Sequence, residues 1–324
     1  MKKQNLFNYA TSELSQDAFI CWLLSWGEPE ASSLDSDLHG LSHKLLQAFF
    51  DKHSRKFPDR IESIDIRKQY QNIDILVIVN NSIAIPIEDK IHSREHSDQL
   101  SRYLKALKDE RYSEENLLPI YLQTGEQGDY KRVTEAGFIP FLRQEMLNIL
   151  KTEACINNIL SDYVEFLEDI EKRVQSFKCL QLEEWDWYSW TGFYKYLQEK
   201  LEDGEWGYVS NPSGGFLGFW WYWNGDEECE QYLQLEENKL CFKIAVDDET
   251  KRTDLKWKWN ERILEAAKDS YVNIIKPVLR NGQCMTVAVV DGDYRQPDGE
   301  GKINLEKTML VIQEAQRVLD RAVA

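Results

Sequence analysis

The sequence predicts an α+β chain: a mixed central sheet flanked by helices, then an additional C-terminal α+β unit. Three observations predict it. Two β-rich runs, "IDILVIV" and "SIAIPIEDK", flank Asn80-Asn81, the pattern of a hairpin. A helical stripe of Leu100, Leu104 and Leu107 separates that hairpin from another strand-like run, "NLLPIYLQT". Finally, nine of the chain's eleven tryptophans lie beyond residue 180, so a unit of different character begins near there.

The elements follow in order. Residues 11–26 predict a helix, with Thr11 or Ser12 as cap and Phe19, Leu23 and Trp26 at helical spacing. Residues 35–53 predict a second helix, interrupted or started near Gly40. "IESIDIRKQYQ" (61–71) alternates as a strand does, and the hairpin strands 73–79 and 82–90 come next. Pro86 is awkward inside a central strand because it lacks a ladder N–H, so a bulge or an unpaired position is expected there. Residues 97–110 form a helix and 116–124 a strand. Residues 137–142 are either a short edge strand or the approach to a helix. A long helical region follows over 144–177, with a break near Cys155. These elements define a first domain at 1–178. In the remainder, 179–324, helices are expected at 183–204, 257–277 and 303–323. Strands are expected in "GGFLGFWWYWNG", in "QYLQLEENKLCFKIAV" turning at Glu237-Asn238, and at 283–294. Trp220 to Trp223 are consecutive aromatics, so alternate ones face opposite sides of a strand and one set is core.

Composition narrows the function. With 42% hydrophobic and 29% charged residues the chain is globular, and no stretch has the length and apolarity of a membrane span. The start "MKKQNLFNYATSEL" lacks a signal-peptide h-region, and the expected location is the cytoplasm. Six scattered cysteines include no C-x-x-C pair, which argues against a zinc site or a disulfide framework. A net charge of -17 counts against a general nucleic-acid binder and leaves room for a protein partner. Between Glu88 and Lys108, however, five basic residues stand against four acids, so a nearly balanced patch lies inside an acidic chain.

The charges around the hairpin carry the chemistry. Asp74 lies six residues before Asn80 and Glu88 seven after Asn81, which brings the two close across the ladder. Glu88 and Lys90 are two apart and share a strand face, while Asp89 points to the other. Two readings fit: a strand edge leaving into solvent, or two walls of a metal site. Carboxylates at close range repel, and a divalent cation removes that cost. Hard oxygen ligands favour Mg2+ or Mn2+. Lys90 is suited to hold a nucleophilic water or to stabilise developing negative charge, and the set suits phosphodiester hydrolysis.

This Asp74…Glu88-x-Lys90 pattern resembles the active-site core of the PD-(D/E)XK nuclease superfamily, the restriction-endonuclease-like fold. The resemblance covers about residues 5–125, and no Pro directly precedes Asp74, the local sequence being Asn72-Ile73-Asp74. It implies that Glu13, in "ATSELSQDAFICWLL", joins the site as an N-terminal helix acid. It implies further that Gln99 and Tyr103, four apart on one helix face, support it, and that the Asp89 main-chain carbonyl completes a metal shell. Alternatives stay open at each position. Glu13 also suits a helix start, and Gln99 and Tyr103 also suit packing against the sheet. Arg94, Arg102 and His92 are candidate phosphate contacts with an equally good reading as solvated surface. The resemblance thus implies a metal-dependent nuclease acting on nucleic acid, with DNA the expected substrate. The competing readings are a catalytically inactive nuclease-fold module for protein or nucleic-acid interaction, and one component of a larger defence or mobile-element system whose partner supplies the basic surface.

Overall fold

The computed structural model describes residues 4–10, 12–91, 98–110, 112–151, 157–211, 214–225 and 227–324. The chain divides into two compact units, Met1–Glu171 and Lys172–Ala324.

The first unit opens with helices α1 (Glu13–Ser25) and α2 (Ser36–Lys52). Ser12 stands at the N-cap of α1; Thr11 lies outside the described residues. Helix α2 runs straight through Gly40, contrary to the expected break. The Asp35 carboxylate accepts from the N–H groups of Asp37 and Leu38, starting the helix at Ser36, and Leu38, Leu41 and Leu45 are buried on either side of the glycine. Three antiparallel strands follow: β1 (Ile64–Tyr70), β2 (Ile73–Val79) and β3 (Ile83–Lys90). After α3 (Gln99–Asp109), strand β4 (Ile120–Gln123) adds parallel to β3. Helix α4 (Lys131–Glu135) leads to β5 (Ile139–Leu142), the parallel edge strand. The sheet order is β1-β2-β3-β4-β5. Helices α5 (Arg143–Leu150) and α6 (Asn158–Val174) end this part of the chain; the break expected near Cys155 lies outside the described residues.

Strand alternation assigns each face. Ile75, Val77, Val79, Ile85 and Ile87 pack into a core with α1, α2, α5 and α6. Leu76, Ile78 and Ala84 pack on the opposite side with Leu100, Tyr103 and Leu107 of α3. Each such fully buried aliphatic side chain is worth roughly 1.5–3 kcal/mol. Both faces of β2 and β3 are therefore dry, which explains their nearly continuous apolar sequence.

The hairpin turn has three residues rather than two. Val79 pairs with Ile83 and Ile75 with Ile87, leaving Asn80, Asn81 and Ser82 in the loop. Both asparagines take positive φ, 51° and 53°, a region Asn tolerates better than most residues. Pro86 lies opposite Leu76. On its other side it falls between the Ala84–Leu117 bridge and the ladder that begins at Ile87–Ile120, so its missing N–H breaks no β4 pair.

The second unit holds α7 (Trp187–Lys200) and a six-stranded antiparallel sheet of β6 (Glu205–Val209), β7 (Phe216–Gly225), β8 (Glu230–Glu236), β9 (Lys239–Ala245), β10 (Ile274–Ile275) and β11 (Cys284–Val290), in the order β10-β11-β9-β8-β7-β6. Helices α8 (Arg252–Ala266) and α9 (Leu305–Val323) complete it. Helix α8 begins five residues before the expected start and ends well before Pro277. Simple alternation fails in β7: a bulge between Trp221 and Asn224, with Tyr222 at φ 60°, turns the chain. Trp221 is buried, whereas Trp223 is 46% exposed and stacks on Tyr232.

One close approach fixes the end of the first sheet. A Cβ built on Gly125 would stand 1.6 Å from the Ile91 carbonyl oxygen. Gly125→Ala is therefore expected to lower the unfolding free energy by about 1–3 kcal/mol, read from urea denaturation. A variant as stable as the parent would show that the two strand ends have room to part.

Candidate active site

The site forms where β2 begins and β3 ends. One step beyond the Ile75–Ile87 pair, the three-residue turn sets Asp74 opposite Glu88. Glu88 and Lys90 share the sheet face that packs on α3, and Asp89 points to the α1 side. All three are buried.

Lys90 is the hub. Its Nζ lies 2.5 Å from Glu88 Oε1, 3.6 Å from Asp74 Oδ2 and 4.0 Å from Glu13 Oε2, and it donates to the Asp89 carbonyl at 3.0 Å. Backbone N–H groups set the surrounding carboxylates: Asp89 donates to Asp74 Oδ2 at 3.0 Å and Ile91 to Glu13 Oε1 at 3.2 Å. From α3, Gln99 Nε2 donates to Glu88 Oε1 at 3.0 Å and also to the Tyr103 hydroxyl. Glu13, Asp74, Glu88, Lys90, Gln99, Tyr103 and the Asp89 carbonyl thus converge. Arg102 does not: it is exposed on α3, about 100° around the helix from Tyr103. His92 and Arg94 lie outside the described residues.

Several contributing residues were not anticipated. Gln69, at positive φ opposite Asp74, donates to Asp74 Oδ1 at 3.3 Å. Gln16 and Asp17 are buried on the face of α1 that bears Glu13, at the i+3 and i+4 positions. Gln16 Nε2 donates to Asp89 Oδ1 at 2.5 Å, and Gln16 Oε1 accepts from Thr124 Oγ1 at 2.8 Å and from the Tyr163 hydroxyl at 3.0 Å. Asp17 and Asp89 face each other within hydrogen-bonding range. The buried end of β4 joins them: Thr124 N–H donates to the Lys90 carbonyl at 3.1 Å, and Arg143, 3% exposed, donates to the Thr124 carbonyl at 2.6 Å and pairs with Glu126 and Glu171. The one sequence signal was polar Gln16 and Asp17 recurring on the Glu13 face of a helix otherwise buried by apolar side chains.

Electrostatics follow from this crowding. Burial, and next the Asp74 carboxylate, push Glu88 up to about 7 against the pull of Lys90. Burial also raises Asp89 well above the carboxylate range and raises Asp17 to about 6, and Asp17 Oδ1 and Asp89 Oδ2 are both buried. For Lys90, burial favours the neutral amine, but Glu88, Asp74 and Glu13 together outweigh it and raise the pKa.

Among the described residues no three Asp, Glu, His or Cys side chains are arranged to hold a metal ion. The Lys90 ammonium stands among the carboxylates and draws them toward itself. The donor set still fits a hard cation: carboxylate oxygens of Asp74 and Glu88, the Asp89 carbonyl, and Glu88 Oε2, which is buried without a hydrogen-bond partner.

A family model described as the PD-(D/E)XK nuclease superfamily matches residues 4–209, more than half of the chain. The chain belongs to the PD-(D/E)XK nuclease superfamily. Neither the curated proteins nor the solved structures hold a match to it. PD-(D/E)XK nucleases generally use divalent metals, and the mixed sheet flanked by helices agrees with a PD-(D/E)XK fold. The match runs past the first unit to include α7 and β6. No helix among the described residues is long and apolar enough to cross a membrane.

The raised Glu88 pKa has a measurable sign. The folded, metal-free chain binds this proton more tightly than the unfolded chain does. Its stabilising contribution is fully present below about 4.5 and is lost as pH rises through about 7. Asp17 and Asp89 act in the same direction. Glu88→Gln, which keeps the shape and removes the ionisation, should flatten part of that decline in urea-denaturation profiles. Superimposable profiles would assign the titration elsewhere.

Proposed function

We propose that this protein is a metal-dependent nuclease that hydrolyses phosphodiester bonds in DNA with Mg2+ or Mn2+. The observation that carries the reading is the convergence of Glu13, Asp74 and Glu88 on Lys90 Nζ beside the Asp89 carbonyl. Asp74, Glu88 and the Asp89 carbonyl would hold the ion, and Glu13 would do so directly or through a water. The ion would supply a Lewis acid that lowers the pKa of a water and offsets charge on phosphate oxygens.

The chain's own groups do the rest. Glu88 has to be ionised to ligate, and the Lys90 ammonium beside it favours that form. Lys90 is then free to orient the attacking water or to face the charge that develops on phosphorus-bound oxygen. Gln99 holds Glu88 Oε1 in place, and Tyr103 fixes the Gln99 amide in turn. Arg102, with Arg94 and His92 before it in the chain, is suited to phosphate contact. We assign this chemistry to the first unit. The net charge of -17 favours a second reading, in which the site is retired and the fold serves as an interaction module, or a partner supplies the basic surface.

Purified protein should nick supercoiled DNA with Mg2+ or Mn2+ and stop on chelation. Lys90→Ala should lower the rate by about 10²–10³-fold, and Asp74→Ala and Glu88→Ala should lose metal binding as well as cleavage. Metal-dependent cleavage untouched by Asp74→Ala and Glu88→Ala would overturn the site. Absence of Mg2+ and Mn2+ binding at millimolar concentration would favour the retired site.

A further inference from the structure

We infer that Gln16 is a positioning residue for this site: its buried amide orients the Asp89 peptide, which addresses Asp74, Lys90 and the metal. The inference rests on the nuclease reading above. The Asp89 backbone works in two directions. Its N–H holds Asp74 Oδ2 at 3.0 Å, and its carbonyl accepts from Lys90 Nζ at 3.0 Å and is a proposed metal ligand. A small rotation of that one peptide moves all of these together.

What resists the rotation is the Asp89 side chain on the other face of the sheet. Its Oδ1 accepts from Gln16 Nε2 at 2.5 Å. The Gln16 amide has no freedom to turn over. Tyr163 and Thr124, from α6 and from the end of β4, donate their hydroxyl protons to Oε1 at 3.0 and 2.8 Å. Those two bonds use both lone pairs of the carbonyl oxygen, so the NH2 group has to face Asp89. Gln16 is 2% exposed and Thr124 and Tyr163 are fully buried, so no water competes. Among the described residues, the side-chain hydrogen bonds of Gln16 go to Asp89, Thr124 and Tyr163 alone. It acts on the reacting groups only through Asp89. Groups in this position behind metal ligands typically govern affinity by about 10–100-fold.

Two variants separate positioning from packing. Gln16→Met keeps the length and removes the donor, but it strands two buried hydroxyls as well as Asp89 Oδ1. The triple variant Gln16→Met, Thr124→Val, Tyr163→Phe also replaces the two hydroxyls with apolar shapes, a change that is often nearly neutral for stability, and leaves only Asp89 Oδ1 without its donor. Mn2+ affinity is expected to fall about 10–100-fold in both, with thermal stability partly recovered in the triple variant. Backbone amide exchange of the peptide containing Asp89 is expected to quicken in both, measured without metal by mass spectrometry. Recovery of Mn2+ affinity together with stability in the triple variant would reduce Gln16 to packing and overturn the inference. Unchanged Asp89 exchange would also overturn it, even if the parent protein bound no Mn2+ and the nuclease reading had failed separately.

Discussion

Everything at this site depends on one buried cation. Without the Lys90 ammonium, the carboxylates of Asp74 and Glu88 would meet at the end of the sheet with hydrogen-bond donors but no positive charge between them. At about 4 Å, and with the effective dielectric of a protein, such a charge pair interacts by several kcal/mol. The fold permits the arrangement because β2 and β3 are apolar on both faces until their last turn of alternation. The charges appear only where the strands run out. Glu13 comes from the start of α1, Gln99 from the start of α3, and both are aimed at the same few ångströms by a core that is itself featureless chemically.

How much of this was legible in the sequence depends on the range of each contact. The hairpin was legible because its residues are local: alternation, Asn80-Asn81 and the count from Asp74 to Glu88 lie within one short stretch. Even there the turn holds one more residue than the sequence pattern suggested, and that extra residue is what sets Asp74 directly opposite Glu88. Glu13, Gln99 and Tyr103 were legible through family resemblance, not through spacing. Gln16, Thr124 and Tyr163 were not legible at all as a group. Gln16 is 73 residues from Asp89, 108 from Thr124 and 147 from Tyr163, and no periodicity links residues so far apart. Gly40 misled for a different reason: its local cost to a helix is about 1 kcal/mol, which burial of the leucines around it exceeds.

The second unit shows the same contrast. Its aromatic content was visible immediately, and the bulk of it is core: Trp206, Trp221 and Trp259 are buried with Phe193, Phe219 and Phe242. What no pattern announced is the bulge at Tyr222, which sends Trp223 outward. Nor did any pattern announce that Arg295 sits over the rings of both Trp185 and Trp190, at 4.6 and 4.3 Å, with Asp293 holding its guanidinium. An arginine so placed is a packing element as much as a charge.

The uneven distribution of tryptophan has a practical consequence. The unit that carries the carboxylates and Lys90 contains only Trp22 and Trp26, both on or beside α1, while the other nine belong to the second unit. Intrinsic fluorescence is therefore weighted toward the half of the molecule that does no proposed chemistry. An unfolding curve recorded that way is dominated by the second unit's sheet and its neighbours. Loss of order around Lys90 would reach that signal only through Trp22 and Trp26, and a probe of the backbone would follow it directly.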